Sequence, residues 1–368
     1  MEIQLKTGTL SLENNQLLNN LIGFSSRINK KRGFLFVSKV LGKHIPAKPS
    51  QMQKIHQELA HVLKKELLNN LSNQNIGNTL FIGFAETATG IGNGVFEEAN
   101  LANSAYIHTT RYNLSFERLL EFKEEHCHAP SHILYKPVDD SINLLLEKIE
   151  NIVLVDDEIS TGNTLNNILE VLKKKFPQVK NYYSVSIINW MKEFNPQIKY
   201  IYLYHGEFNF KAKDIKENID VISETTEKKY FDYIMPHNFG RFAIKNSDLA
   251  YEKLLDYKDY LGKKILLLGT GEFMYQSYKL AQYLESKGIE VFVQSTTRSP
   301  VNVDLDIVSK IQFKDNYGEK IDNFLYNVID KDYDKIIICY ETENVDTSHE
   351  LGKILSQKFS VEQIFFKS

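Results

Sequence analysis

Cysteine is almost absent: 368 residues hold two, Cys127 and Cys339, far apart in the chain. That excludes a disulfide framework and a thiolate zinc site, and makes a reducing cytoplasm the expected compartment. No apolar run reaches membrane-spanning length, and the opening Met-Glu-Ile-Gln-Leu-Lys lacks a basic region followed by an apolar core, so neither a span nor a secretory leader is expected. A formal net charge of -3 removes the electrostatic case for bulk nucleic-acid binding, although a local basic patch is still allowed. Repeats of fixed period and long low-complexity tracts are missing too. What is plentiful is apolar material, 42% of the residues, enough for a full core and two domains.

The chain is organised around 151–169. Ile152 to Val155 read as a buried parallel strand and the apolar spacing from Leu165 onward reads as a helix, so the polar run between them is a strand-to-helix turn. Gly162 lets the backbone approach a ligand, the first helical amides point outward, and Ser160, Thr161 and Thr164 add hydroxyl donors, a set that suits a phosphate. Asp156 and Asp157 at the strand's carboxyl end suit a sugar's vicinal hydroxyls or a hydrated Mg2+. One turn thus offers partners for both ends of a ribose 5-phosphate. The plain alternative is an Asp-rich turn in an α/β sheet.

Val153-Leu-Val-Asp-Asp-Glu-Ile-Ser-Thr-Gly-Asn-Thr164 resembles the PRPP-binding signature of type I phosphoribosyltransferases. The resemblance implies that Asp156 and Asp157 hold the ribose hydroxyls and Mg2+, through water, and that Glu158, Ser160, Thr161, Gly162, Asn163 and Thr164 line the 5'-phosphate site. Glu158 departs from the pattern, since most members carry a small or aliphatic residue there, and it adds a third acid.

A second strand, small-residue turn and helix begins at Thr79, with Gly90, Gly92 and Gly94 and the hydroxyls of Thr87 and Thr89 forming a nest suited to pyrophosphate oxygens or a tight structural turn. The resemblance maps the pyrophosphate loop onto Glu86, Thr87, Ala88, Thr89 and Gly90. Glu86 is electrostatically odd beside a polyanion unless Mg2+ or a basic neighbour intervenes. Between the two turns, 106–135 is polar, aromatic and rich in histidine. His108, Thr110 and Arg111 are candidates for pyrophosphate contacts, and Glu124, Glu125, His126, His128 and His132 for acid-base work near neutral pH. Structural histidines and a zinc site at His128 and His132 are the alternatives, the latter opposed by Pro130. In type I enzymes this connection contains a flap over the reaction centre, which implies catalytic work for Arg111, Glu125, His126 and His128.

Upstream, Arg27, Lys30, Lys31 and Arg32 precede a β-rich run, and Lys39, Lys43 and His44 follow it. They form either a positive wall for a pyrophosphate or acidic substrate, or a solvated basic edge. Arg-Gly-Phe with Leu-Gly-Lys-His-Ile-Pro is similar to the opening of phosphoribosyltransferase-like proteins of tellurite-resistance gene clusters, which favours the wall and assigns Lys43 to pyrophosphate. Asp248 to Tyr260 reads as a connecting helix. From Lys263 strands and helices alternate again, starting with the glycine turn Gly269, Thr270, Gly271, Glu272. This part resembles the same family's C-terminal TRSP domain, named for Thr270-Gly-Glu272 and Arg298-Ser-Pro300. The turn with Arg298 suits a phosphate or carboxylate and Glu272 an amine or hydroxyl, unless Arg298 and Glu272 pair as a lock.

The expected fold is therefore α/β: a type I phosphoribosyltransferase fold, a mainly parallel sheet flanked by helices, over 1–245, a connecting segment over 246–262, and a smaller Rossmann-like α/β domain over 263–368. The resemblance implies a Mg2+-dependent transfer from PRPP, or from a ribose 5-phosphate nucleotide in the reverse direction, to or from a base-like acceptor. It places the product, a nucleoside-like metabolite, in tellurite or stress resistance. A non-catalytic PRPP- or nucleotide-binding regulator and a pathway scaffold are the alternatives. No membrane partner is expected, while a homodimer and a pathway-enzyme partner are left open.

Overall fold

A computed structural model describes residues 1–27, 32–69, 76–122, 132–213, 239–247, 249–317, 320–341 and 350–366. They fall into two compact units. The central unit holds Gln53–His205 and the described part of 239–249; the terminal unit holds Met1–Met52, the strand Phe208–Ala212 and the described residues from Ala250 onward. No described helix is long and apolar enough to cross a membrane.

The central unit is built on five parallel strands: β1 (Asn78–Gly83), β2 (Ser104–His108), β3 (Ile149–Val155), β4 (Asn181–Asn189) and β5 (Ile198–His205). Their order across the sheet is β5-β4-β3-β1-β2. In β3, Ile152, Val153, Leu154 and Val155 are fully buried, which is why this run shows no polar alternation. The connections from β1 and β3 lead to opposite sides of the sheet, so a crevice opens between them at the carboxyl ends. Register sets those ends level, Gly83 opposite Val155.

Three helices matter to the site: α1 (Pro49–Asn69), α2 (Thr89–Ala99) and α3 (Asn163–Lys175). α3 buries Leu165, Ile168, Leu169 and Leu172, one apolar stripe at helical spacing, and ends on Lys173, Lys174 and Lys175, which complement its dipole. Gly94 of α2 lies against α1, where an added Cβ would stand 2.2 Å from His56 Nδ1. Strands Arg118–Phe122 and His132–Tyr135 form an antiparallel pair, tied to the end of β2 through the Thr110–Ile133 bridge.

The terminal unit carries a second parallel sheet of β6 (Lys264–Gly269), β7 (Glu290–Ser295), β8 (Lys335–Tyr340) and β9 (Ser360–Phe365), ordered β7-β6-β8-β9. Helix α4 (Tyr275–Ser286) follows β6. The chain's start is woven into this unit. Ala47 and Val293 exchange backbone bonds of 3.0 and 2.8 Å, and Ser295 N donates to Gly42 O at 2.8 Å. Strand Gly8–Leu12 pairs antiparallel with Glu2–Leu5 on one side and Phe208–Ala212 on the other, and Phe34 packs edge-on against Phe36 and Phe208 at 5.2 and 5.0 Å. The connecting helix expected up to Tyr260 is instead two 3₁₀ turns, Tyr251–Lys253 and Tyr257–Tyr260. Asp256 caps Lys258 N at 3.0 Å, and Tyr260 is anchored through its hydroxyl to Glu362 at 2.9 Å. A side-chain cap and a tertiary anchor outweigh local helix propensity here.

Candidate active site

The turn after β3 is fastened on both sides. Asp156 N donates to Val185 O of β4 at 3.0 Å, and Phe84 N, just past β1, donates to Val155 O at 3.1 Å. Asp157 N turns back onto Asp156 Oδ1 at 2.9 Å, while Asp157 O accepts from Ile187 N and Ile188 N at 3.1 and 3.3 Å. Glu158 and Ile159 then pair with Ile188 and Asn189, continuing the ladder along β4. Both aspartates are half-buried. Burial first, then the charge of Asp157, lifts the Asp156 carboxyl well above the usual carboxylate range, and Glu158 adds to the effect. Three consecutive acids so placed favour a cation or hydroxyl donors.

Gly162 enters α3 in the left-handed region, φ 77°, and an added Cβ would stand 2.5 Å from Met191 Cε. The position thus excludes side chains twice, by conformation and by packing. Thr161 and Asn163 are exposed, Ser160 and Thr164 half-buried, and Thr161 Oγ1 accepts from Asn163 N at 3.4 Å. Asn189 Oδ1 holds Met191 N at 2.8 Å, and its buried Nδ2 has no hydrogen-bond partner among the described residues. Hydroxyls and helix-start amides therefore stand together on one turn beside the acids, a composition that suits an anion.

The neighbouring turn after β1 is held by Thr109, which the sequence reading did not single out. Thr109 Oγ1 accepts from Ala85 N at 2.8 Å and meets His132 Nδ1 at 3.0 Å, and Thr109 N donates to Gly83 O at 2.9 Å. Its place just past the end of β2 was the available signal. Glu86 and Thr87 are half-buried on this turn, and Arg111 Nη2 lies 3.5 Å from Ala85 O, so Arg111 borders the loop it was expected to serve. Ala88 and Thr89 are buried; Thr89 Oγ1 donates to Glu86 O at 3.3 Å and Thr89 O accepts from Tyr106 OH at 2.7 Å. Gly92 and Gly94 lie inside α2, and their small size serves packing, Gly92 against Gly83 and Gly94 against His56.

The other described residues of the expected set are spread over both units. His108 is buried with Nδ1 2.9 Å from Thr109 O, and His132 stacks on Phe122 at 4.8 Å, beneath the turn. Thr110 Oγ1 accepts from Tyr112 N at 3.1 Å and lies 3.4 Å from the Nε of Arg241, a buried arginine set over the Tyr112 ring. Glu124, Glu125, His126 and His128 lie outside the described residues. Lys43 belongs to the terminal unit, where its buried Nζ donates to Gly271 O at 3.0 Å and Ser295 Oγ at 3.2 Å. Gly269, Thr270, Gly271, Glu272 and Arg298 are in that unit as well. A Cβ on Gly269 would strike Phe273 O at 2.4 Å, Thr270 Oγ1 donates to Cys339 O at 3.3 Å, Gly271 N to Thr296 Oγ1 at 2.9 Å, and Glu272 is buried.

A sequence model of the phosphoribosyl transferase family matches residues 21–202, and a model of the TRSP domain, described as C-terminal to that transferase domain, matches 241–357. No curated protein matches the chain. Solved structures similar to part of it include a hypoxanthine phosphoribosyltransferase from Staphylococcus aureus, 13% identical over 44% of this chain and 78% of that one, TM-score 0.27. An adenine phosphoribosyl transferase from Trypanosoma brucei is 10% identical over 52% and 75%, TM-score 0.31. The adenine phosphoribosyltransferase of Leishmania donovani is 14% identical over 52% and 80%, TM-score 0.32. With both sequence models matched in chain order, and the acid-bearing and hydroxyl-bearing turns side by side in the central sheet, this chain belongs to the phosphoribosyl transferase family and carries that family's TRSP domain.

Proposed function

We propose that the central unit transfers a phosphoribosyl group between PRPP and a base-like acceptor, or runs the reverse release of a base by pyrophosphate. The observation that carries this reading is the level ending of β1 and β3, joined by the Phe84–Val155 bond, which sets two turns of anion-binding composition next to each other with Asp156 and Asp157 between. Breaking the C1–O bond of PRPP builds positive charge on the ribose and negative charge on the leaving group. The turn at Thr161 to Thr164 would grip the 5'-phosphate, and Asp156 with Asp157 would orient the ribose hydroxyls, so that the reacting carbon is held in place. Arg111, beside the β1 turn, would face the departing pyrophosphate.

Mg2+ fits the donor set. Mutual repulsion among Asp156, Asp157 and Glu158 is what a hard divalent cation relieves, and no group of three or more ligating side chains is found among the described residues, so the ion would draw its remaining ligands from water and phosphate oxygens. Bound there, it would neutralise charge on the pyrophosphate. On the strength of the sequence resemblance we place the product among nucleoside-like metabolites of tellurite or stress resistance. Incubation with PRPP, Mg2+ and a panel of bases, with pyrophosphate followed in both directions, tests the reading. Pyrophosphate release dependent on one base class supports it, and silence in both directions overturns it.

A further inference from the structure

We propose that the carboxyl end of the terminal unit's parallel sheet is a second ligand site, taking a small phosphorylated hydroxy compound. This goes beyond the transfer reaction and does not depend on it. The order β7-β6-β8-β9 repeats the connectivity that opens a crevice between the first and third strands, here β6 and β8. Lys43, Glu272 and Glu341 gather at that end, 1%, 4% and 2% exposed. Removing three charges from water is expensive, and apolar residues usually serve a purely structural core as well or better.

The crevice is framed by bonds across the strand ends. Gly271 N reaches Thr296 Oγ1 at 2.9 Å, Thr270 Oγ1 reaches Cys339 O at 3.3 Å, and the Tyr317 hydroxyl donates to the Glu341 carboxylate. Buried polar atoms without a hydrogen-bond partner among the described residues include His44 Nε2, which feels the charge of Lys43, and Asn316 Nδ2, one residue before Tyr317, in side chains 8% and 6% exposed. Unpartnered buried polar atoms are costly, and a ligand relieves them. His44 follows Lys43 on the cationic side, and Asn316 precedes Tyr317 on the acidic side. Burial first, then the charges of Lys43 and Arg27, push the His44 imidazole down to about 3, so it stays neutral beside two cations. Arg27 Nη2 in turn meets Ser299 Oγ at 3.0 Å. An ammonium, a neutral imidazole and serine hydroxyls suit a phosphate; Glu272 and Glu341 suit hydroxyl donors at the other end.

The test titrates full-length protein carrying Thr161→Ala and Thr164→Ala, which weaken the central phosphate turn, with ribose 5-phosphate, inorganic phosphate and ribose by calorimetry. One saturable ribose 5-phosphate site should survive on this background. Lys43→Gln should weaken ribose 5-phosphate and inorganic phosphate at least tenfold. Glu341→Gln, which keeps an acceptor for Tyr317, should weaken ribose 5-phosphate but leave inorganic phosphate unchanged, and it decides alone if Lys43→Gln does not fold. Loss of all saturable binding in the background protein, or binding indifferent to the variants that fold, overturns the second site. Pyrophosphate release in the wild type is read separately, so failure here is distinguishable from failure of the transferase reading.

Discussion

The two parallel sheets share a strand order over their first four strands and differ in what stands at the carboxyl ends. In the central unit the third strand ends in half-buried Asp156, Asp157 and Glu158, followed by a turn with Thr161 and Asn163 in solvent. In the terminal unit it ends in Glu341, buried and already taken by Tyr317, with Lys43 brought in from 228 residues before Gly271 to neutralise the crevice. Topology supplies the crevice; the residues after each strand decide whether it presents acids alone, half-buried, or buries charges of both signs. The central site therefore invites chemistry at the acids, the terminal one selective retention.

The strongest challenge to that contrast is Asp156→Asn with Asp157→Asn. We expect turnover of PRPP to fall by several orders of magnitude, as charge-assisted contacts at a reacting ribose contribute about 2–3 kcal/mol each, while a simple 5'-phosphate still binds. Full turnover in a folded double variant would dissolve the distinction. Next, Thr161→Ala with Thr164→Ala should weaken all 5'-phosphorylated ligands of the central site alike, by about 10–100-fold in calorimetry. A glycine pair sharpens the comparison further. Gly162 and Gly262 are both left-handed, but only Gly162 has a neighbour, Met191, within reach of a Cβ. Gly262→Ala should cost about 1 kcal/mol and Gly162→Ala about 2–3 kcal/mol in denaturant unfolding; equal losses would show that Met191 yields.

The smallest effect concerns pH. Because the folded-state pKa of Asp156 lies above its unfolded value, the native state binds more protons between the two, and ligand-free protein should lose stability as pH rises through that window. Asp156→Asn should flatten the loss and raise the melting temperature at neutral pH, and Mg2+ should bind with proton release. A melting profile of the variant identical to wild type would mean that the acids are not in conflict.

Sequence showed most where physics is local. The strand β3, the acid pair and the Thr161 to Thr164 turn were legible because burial, charge and glycine placement coincide within about a dozen residues. Lys43 was not. Its neighbours in sequence form a basic cluster, and nothing local says that the segment docks against β7 and the Gly271 turn. Gly92 and Gly94 stayed between two readings for a related reason: a glycine needed for close packing and one needed for phosphate approach look identical in sequence. Thr109 was hidden by its modesty, a single hydroxyl whose importance lies in what it braces.

The weaving of the chain's start into the terminal unit also dictates an order of events during synthesis. Gln53 to His205 is contiguous and can close its sheet while the rest is still being made. The first 52 residues cannot finish until β6 and β7 emerge, and at about 5–20 residues per second that is a wait of roughly 10–50 s with the Phe34–Ser38 strand lacking its eventual surroundings. Nascent chains stalled shortly after His205 should thus carry a protease-resistant middle and a sensitive beginning, and a fragment starting near Lys263 lacks part of its own core.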